Sequence, residues 1–397
     1  MRAVTVKVST RQQECFPGSV VEGNVEVRVD TKNNEESSAD ELKLRMVGLV
    51  KTCITYQTYN GSNQTTNTAI EEDEIISHTV ELGAFGGKAA SGVHNFPFSV
   101  TLPVDLPPSM KETSGSDSCS IQYSFEARLH RPGILHFDAK GSSVLRVLGT
   151  PQPDGDAAPV LAGPATQRVK AWCCFNRGSM SIGYRMDRSL VGPNDSIWLD
   201  VVASNNSTST VNAMRSELKQ ETKWSARGHH ATKTRTIVSS VVPGTDLGAL
   251  QRAAGAGTER GQSVATVESN ARQDLEQQLS SGTSTRVQLK VPADSLLTLQ
   301  TPNISVSHSV GVVLETPSCY GKPAVWTPLH VQVGGSAAEV QPGGGSFVPT
   351  QASSQASTYP PPQTVPYSDA SHGRYGSSQT VRFPNLKGGT RGAPPGS

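Results

Sequence analysis

The strongest alternation in this chain runs from Gly92 to Gly133. Phe96, Phe98, Val100 and Leu102 alternate with Pro97, Ser99 and Thr101. A period of two gives a strand with one apolar and one mixed face. Pro103, Pro107 and Pro108 stop any ladder there. A polar loop is expected from Lys111 to Ser118. A second strand follows, with Ile121, Tyr123, Phe125, Ala127 and Leu129 inward and Gln122, Ser124, Glu126 and Arg128 outward. Arg131-Pro132-Gly133 ends it. Strand, proline-rich connection and strand fit a unit of a β-sandwich.

The residues before this stretch read the same way. Val4, Val6 and Val8 alternate in a first strand, and Val25, Val27 and Val29 in a later one. Between them Phe16-Pro17-Gly18 predicts a type II turn, because Pro presets φ and Gly tolerates the positive φ that follows. Asp30 to Asp40 reads as a polar loop. Leu42, Leu44 and Met46 form a strand ending near Gly48. Residues 58–68 are mostly Asn, Gln, Thr, Ser and Gly, and Glu71, Glu72, Asp73 and Glu74 follow. These acids read as a solvated hairpin tip. On a strand they would alternate faces and could not all reach one ion.

Pro151 to Gln167 has linker composition. After it the pattern restarts. Ile182, Tyr184 and Met186 alternate, Gly192-Pro193-Asn194-Asp195 turns the chain, and Ile197, Leu199 and Val201 alternate again. Later come Val287, Leu289 and Val291-Pro292, then Ile304, Val306, His308, Val310, Val312 and Leu314. The two halves read as one unit written twice. The expected division is 1–149 for one sandwich, 150–169 for a linker and 170–333 for a second sandwich. Residues 239–285 are an insertion in the second unit. Val264, Val267, Ala271, Leu275 and Leu279 fall there at helical spacing. Residues 334–397 are low in apolar residues and rich in Gly, Ser and Pro, which predicts a disordered tail.

Composition narrows the function. Hydrophobic residues make up 35% of the 397, low for a wholly folded chain, which supports an unpacked tail. The formal net charge is +1 and no basic stripe stands out, so nucleic acid is not an expected partner. No run of about 18 apolar residues predicts a membrane span. Met1 leads directly into a strand, so no secretory leader is expected and the thiols should be reduced. Cys173 and Cys174 could hold zinc only with Cys319, His229 or His230, without metal-site spacing; buried thiols are the simpler reading. No nucleotide, metalloprotease or hydrolase motif is present. The chain is therefore read as a non-enzyme without cofactor. His94 and His308 read as packing residues.

The order of motifs resembles the arrestin superfamily. The resemblance rests on Gly92, His94, Phe96 to Phe98, Val100, Leu102-Pro103, Pro108-Ser109, Ile121, Tyr123, Phe125, Ala127, Leu129 and Arg131, with Phe16-Pro17-Gly18, Gly23 and Gly48 before them. Trp172-Cys173-Cys174-Phe175, Gly178, Ser181-Ile182 and Asp187-Arg188 resemble the start of the second domain in α-arrestins, the arrestin domain-containing type. This implies an all-β fold: two tandem immunoglobulin-type sandwiches with a disordered C-terminal tail. It also implies a non-catalytic cytoplasmic trafficking adaptor, recruited to the plasma membrane or endosomes. Such an adaptor binds cytoplasmic segments of membrane proteins and links them to endocytosis, ubiquitination or sorting. Two other roles use such a fold: a subunit of a retromer-like coat, and a receptor-desensitising arrestin. The basic pair that senses receptor phosphates has no match on the first strand, which offers Lys7 and Arg2.

α-Arrestin tails carry Pro-Pro-x-Tyr, a ligand of WW domains in ubiquitin ligases. The candidate partner-binding residues here are Tyr359, Pro360, Pro361, Pro362, Pro366 and Tyr367. No intact motif is present. After Pro361-Pro362-Gln363 the tyrosine position holds Thr364, and before Tyr367 the proline positions hold Thr364 and Val365.

Overall fold

The computed structural model describes residues 3–30, 36–133, 137–151, 159–171, 175–247, 273, 275–279, 281, 284–317, 322–333 and 364–365. Strands dominate. In chain order they are β1 (Ala3–Thr10), β2 (Glu14–Cys15), β3 (Val20–Asp30), β4 (Ser37–Asn60), β5 (Asn63–Ala89), β6 (Gly92–Thr101), β7 (Met110–Ser114), β8 (Asp117–Leu129) and β9 (Ala139–Val147). Then come β10 (Val160–Ala171), β11 (Phe175–Met186), β12 (Leu190–Val191), β13 (Ser196–Ser207), β14 (Ala213–Ala226), β15 (His229–Pro243), β16 (Thr285–Lys290), β17 (Leu299–Gln300), β18 (Ile304–Glu315), β19 (Ala324–Val331) and β20 (Thr364–Val365).

The duplication read from the sequence is explicit in the topology. One sheet of the first half runs β2-β9-β8-β4-β5, with β7 also on β8. Its counterpart runs β12-β19-β18-β14-β15, with β17 also on β18. The facing sheets are β1-β3-β6 and β11-β13-β16, extended by β20 at β6 and by β10 at β11. Each half is therefore a two-sheet sandwich, and the alternating residues are its filling. Ile121, Tyr123, Phe125, Ala127 and Leu129 are all buried, as are Ile182, Tyr184, Met186, Ile197, Leu199 and Val201. The Phe98 and Phe125 rings meet across the first sandwich at 5.2 Å. Two buried tyrosine hydroxyls find backbone acceptors, Tyr123 on Pro107 O at 2.6 Å in the first sandwich and Tyr184 on Val310 O at 2.9 Å in the second. Burying rings of this size contributes on the order of 2–3 kcal/mol each.

Two glycines set local geometry. Gly18 has φ of 79°, as the turn requires, and Ser19 N donates to Phe16 O. A β-carbon at Gly18 would stand 3.1 Å from Val104 Cγ1. Gly18→Val is expected to destabilise the chain by roughly 1 kcal/mol or more. An unchanged melting temperature would overturn this. At Gly48 a β-carbon would stand 2.6 Å from the Tyr123 ring, so glycine there lets Tyr123 lie flat across β4.

Several expectations need correction. β4 does not end near Gly48; it continues to Asn60 and turns at Gly61 into the similarly long β5. Glu71 to Glu74 lie within β5, well away from the tip, because polar residues also extend a hairpin when both arms pair. The loop expected from Lys111 to Ser118 contains β7 and its turn into β8. Val160 to Ala171, which begins inside the expected linker and runs past its end, is a strand paired with β11. Gly163 and Pro164 sit at an irregularity between Ala162 and Ala165 on this edge strand, where proline is tolerated. β15 carries the sheet through Ser239 to Pro243, into the expected insertion. Residues 275–279 are helical, and Leu275 and Leu279 are buried against Val202. Val264, Val267 and Ala271 lie outside the described residues, as does the tail apart from β20.

Candidate functional site at the domain seam

The two sandwiches meet along a seam built by the β4–β5 hairpin, β7 and the β14–β15 hairpin. Its apolar part continues the first core: Trp224, Ala226, Leu299, Ile304 and Val306 are buried in one cluster with Met46, Val50 and Phe125. Around it lies a series of polar stitches. Thr52 Oγ1 donates to Ser225 O at 2.7 Å. The Arg227 amide donates to Glu71 at 2.6 Å, and Asn303 Nδ2 donates to Asp73. The Tyr56 and His229 rings stack at 3.8 Å.

The acidic run is thereby divided. Glu71 and Asp73 face the second sandwich, while Glu72 pairs with Lys51 and Glu74 with Arg45 on the outer face of the first. Strand alternation separates the two pairs, as the sequence indicated. Partial burial raises the Asp73 carboxyl, and the neighbouring Glu71 adds to this.

At the centre is Glu112 on β7, a carboxylate only 8% exposed. Lys233 Nζ donates to its Oε1 at 2.7 Å and Gln220 Nε2 to its Oε2 at 3.2 Å. Lys233 also donates to Thr113 O at 2.6 Å. Arg235 donates to Gln220 Oε1 at 3.1 Å, which fixes the orientation of the amide. Burial pushes the Glu112 carboxyl up, but Lys233 and the Thr113 amide hold it on balance below the ordinary value. Cys119, paired with Glu112 across the β7–β8 ladder, is pushed up to about 12 by burial and by that carboxylate. It stays a thiol rather than a nucleophile.

Behind this group sits His308, which pairs with Gln220 across the β14–β18 ladder and is 4% exposed. Its Nδ1 lies 2.9 Å from Thr298 Oγ1, while Nε2 and Arg235 Nε have no hydrogen-bond partner. Burial, then Arg235 and His330, lower the imidazole to about 4. It is neutral at pH 7. The arrangement is one of adhesion: a carboxylate of one sandwich held by a cation and an amide of the other. Among the described residues no three His, Cys, Asp or Glu side chains cluster as a metal site. His229 of the zinc reading is instead engaged with Tyr56, and Cys173, Cys174 and Cys319 lie outside the described residues.

The family comparisons agree with this architecture. The family model for Arrestin (or S-antigen), N-terminal domain matches residues 4–152, and that for Arrestin (or S-antigen), C-terminal domain matches residues 176–335. The chain belongs to the arrestin family. Its resemblance is to the α-arrestin type: it is 25% identical over 253 residues to Arrestin domain-containing protein 17 of Caenorhabditis elegans. That alignment covers 59% of this arrestin and 55% of the relative, so the chain spans about half the length of the relative it matches.

The candidate residues Tyr359, Pro360, Pro361, Pro362, Pro366 and Tyr367 lie outside the described part of this arrestin. Of the residues between them, Thr364 and Val365 form β20. The seam residues Glu112, Gln220, Lys233 and Arg235 were not singled out from the sequence. Their only signal is a charge or amide at inward-facing positions, which becomes visible once β7, β14 and β15 are recognised as strands.

Proposed function

We propose that this arrestin is a non-catalytic trafficking adaptor that acts in the cytoplasm and is recruited to the plasma membrane or endosomes. It binds cytoplasmic segments of membrane proteins and links them to endocytosis, ubiquitination or sorting. The observation that carries this reading is the tandem-sandwich arrestin architecture with a continuous seam. Such a body offers loops and strand edges to extended peptides, and β-augmentation is the matching recognition mode. No helix among the described residues is long and apolar enough to cross a membrane, so cargo recruitment is the proposed route to a membrane. Effectors would be recruited through the tail and include endocytic proteins and WW-domain ligases.

Proximity labelling of the full chain in its native cell tests the proposal. Enrichment of membrane proteins together with ubiquitination or endocytic proteins is expected. A fixed stoichiometric complex on purification would favour a coat subunit instead. Binding that depends on receptor phosphorylation would favour desensitisation.

A further inference from the structure

The outer face of the sheet β10-β11-β13-β16 carries an apolar patch that belongs to neither core. Ile182 and Tyr184 of β11 and Leu199 and Val201 of β13 point into the sandwich. Alternation then turns Ser181, Gly183 and Arg185 of β11 outward, with Asp200, Val202 and Ser204 of β13 opposite them. Val202 is the one aliphatic side chain among these six, and it stands across from Gly183. The missing side chain at Gly183 leaves a pit. A β-carbon there would stand 2.5 Å from Leu275 Cδ2 and 3.1 Å from Ala162 O. Leu275 and Leu279, one helical turn apart, fill this pit and are 4% and 6% exposed. With Val202, and with Leu161 of β10 packed beside them, they form a cluster of their own.

The sandwich does not need this cover. In the first half β5 and β6 are joined by Ala90 and Ser91 alone, whereas residues 244–284 separate β15 from β16. The corresponding outer face of the first half is polar, with Glu26 paired to Arg28 on β3. Beneath the cover the β11–β13 ladder is continuous from Gly178 to Met186 without help from the helix. The cover is also weakly held. Two buried leucines are set against the entropy of ordering the helical segment, and a short helix is marginal in water. Beside the pit the face is positive: Arg185 and Arg286 share the single carboxylate of Asp200, at 3.0 and 3.9 Å.

We propose that the pit between Gly183 and Val202 is a docking site for a helix of a partner protein, and that the segment 275–279 is its displaceable cover. The partner helix carries leucines at i and i+4, because the seated cover shows that this spacing fits the pit. It carries an acidic residue beside them, because two arginines and one aspartate flank the pit. A partner with further contacts displaces the cover, which has only two anchors. No element of the seam lines the pit, so the site is independent of the adaptor role.

Hydrogen exchange on the full wild-type chain tests the cover. The Ser281 amide donates to Gln277 O at 2.9 Å and reports whether the helical turn is closed. Its exchange is expected to be about a hundredfold faster than that of the β11–β13 ladder, since only local opening is needed. Equal rates would mean that the segment opens only when the sandwich unfolds, and would overturn the proposal. Binding tests the pit. The probe is a 270–284 peptide stapled between positions 273 and 277, which are exposed in the chain. It should bind the full-length variant Leu275→Ala with Leu279→Ala about tenfold or more tightly than the wild type, whose own cover competes. The same peptide with both leucines changed to alanine should bind that variant about tenfold or more weakly. Equal binding of the two peptides, or of the two proteins, would overturn the proposal. Arg286→Glu in the variant chain should weaken the leucine peptide, which carries Asp274 and Glu276 against Arg272, about threefold. No change would overturn the acidic part of the assignment. Loss of the β-sheet dichroism in the Leu275→Ala, Leu279→Ala chain would make the cover part of the fold, and would overturn its role as a displaceable element.

Discussion

Glu112→Ala is expected to lower the stability of the chain by about 2–3 kcal/mol. The reason lies less in the lost ion pair than in what is left behind. Lys233 and Gln220 reach into the seam to meet this carboxylate, at 2.7 and 3.2 Å. Without it an ammonium and an amide face a partly dry interface unpaired, and that costs more than the pair itself contributes. Lys233 keeps some access to water, with 30% of its side chain exposed, which places the value below that of a fully enclosed pair. The converse substitution sharpens the test. Glu112→Leu combined with Lys233→Met removes both charges while keeping their volume, and should recover much of the loss. Urea midpoints followed by tryptophan fluorescence, to which Trp224 buried at the seam contributes, would report the difference. A midpoint in Glu112→Ala equal to that of the wild type would show that the seam does not depend on this contact.

The seam also marks the limit of what the sequence made legible. Strands facing an apolar core announce themselves: β6, β8, β11, β13 and β18 carry apolar residues at most of their inward positions. β14 does not. Its inward residues include Ser216, Gln220 and Thr222, all buried, alongside Met214, Leu218 and Trp224. Where a strand faces another domain through hydrogen bonds, the apolar period is interrupted although the strand period persists. β7 was hidden for the same reason, since its inward Glu112 reads as part of a solvated loop. The duplicated order of strands was legible because each sandwich must fill its own core. The contacts between them were not, because charge pairs such as Glu112–Lys233 join residues far apart in sequence with no local pattern. The tail shows the same division. Its composition was readable, but the pairing of Thr364 with Ser99 joins residues far apart in sequence with no local pattern.

Acidification gives the other large expected effect, and His308 is its source. The imidazole titrates at about 4 in the folded chain, below the usual 6.5, because it is buried and faces Arg235 and His330. A proton therefore binds the unfolded chain first as pH falls. The stabilising contribution of neutral His308 is fully present above about pH 6.5 and is lost as pH falls from there toward 4. Between pH 7 and pH 5 this amounts to about 2 kcal/mol. Glu112 acts in a separate window: its carboxyl is held low, so its contribution is present above the ordinary carboxylate range and is lost only as pH falls through and below it. Comparing pH 7 with pH 5 thus keeps Glu112 out of the titration, and the comparison with a variant assigns the change to the histidine. His308→Gln keeps a polar group within reach of Thr298 and removes the titration. Its urea midpoint should be nearly flat over this interval while that of the wild type falls. Parallel pH profiles for the two proteins would show that His308 takes its proton without disturbing the packing of β18 against Gln220 and Thr298, and would remove it as the acid-sensitive point of the seam.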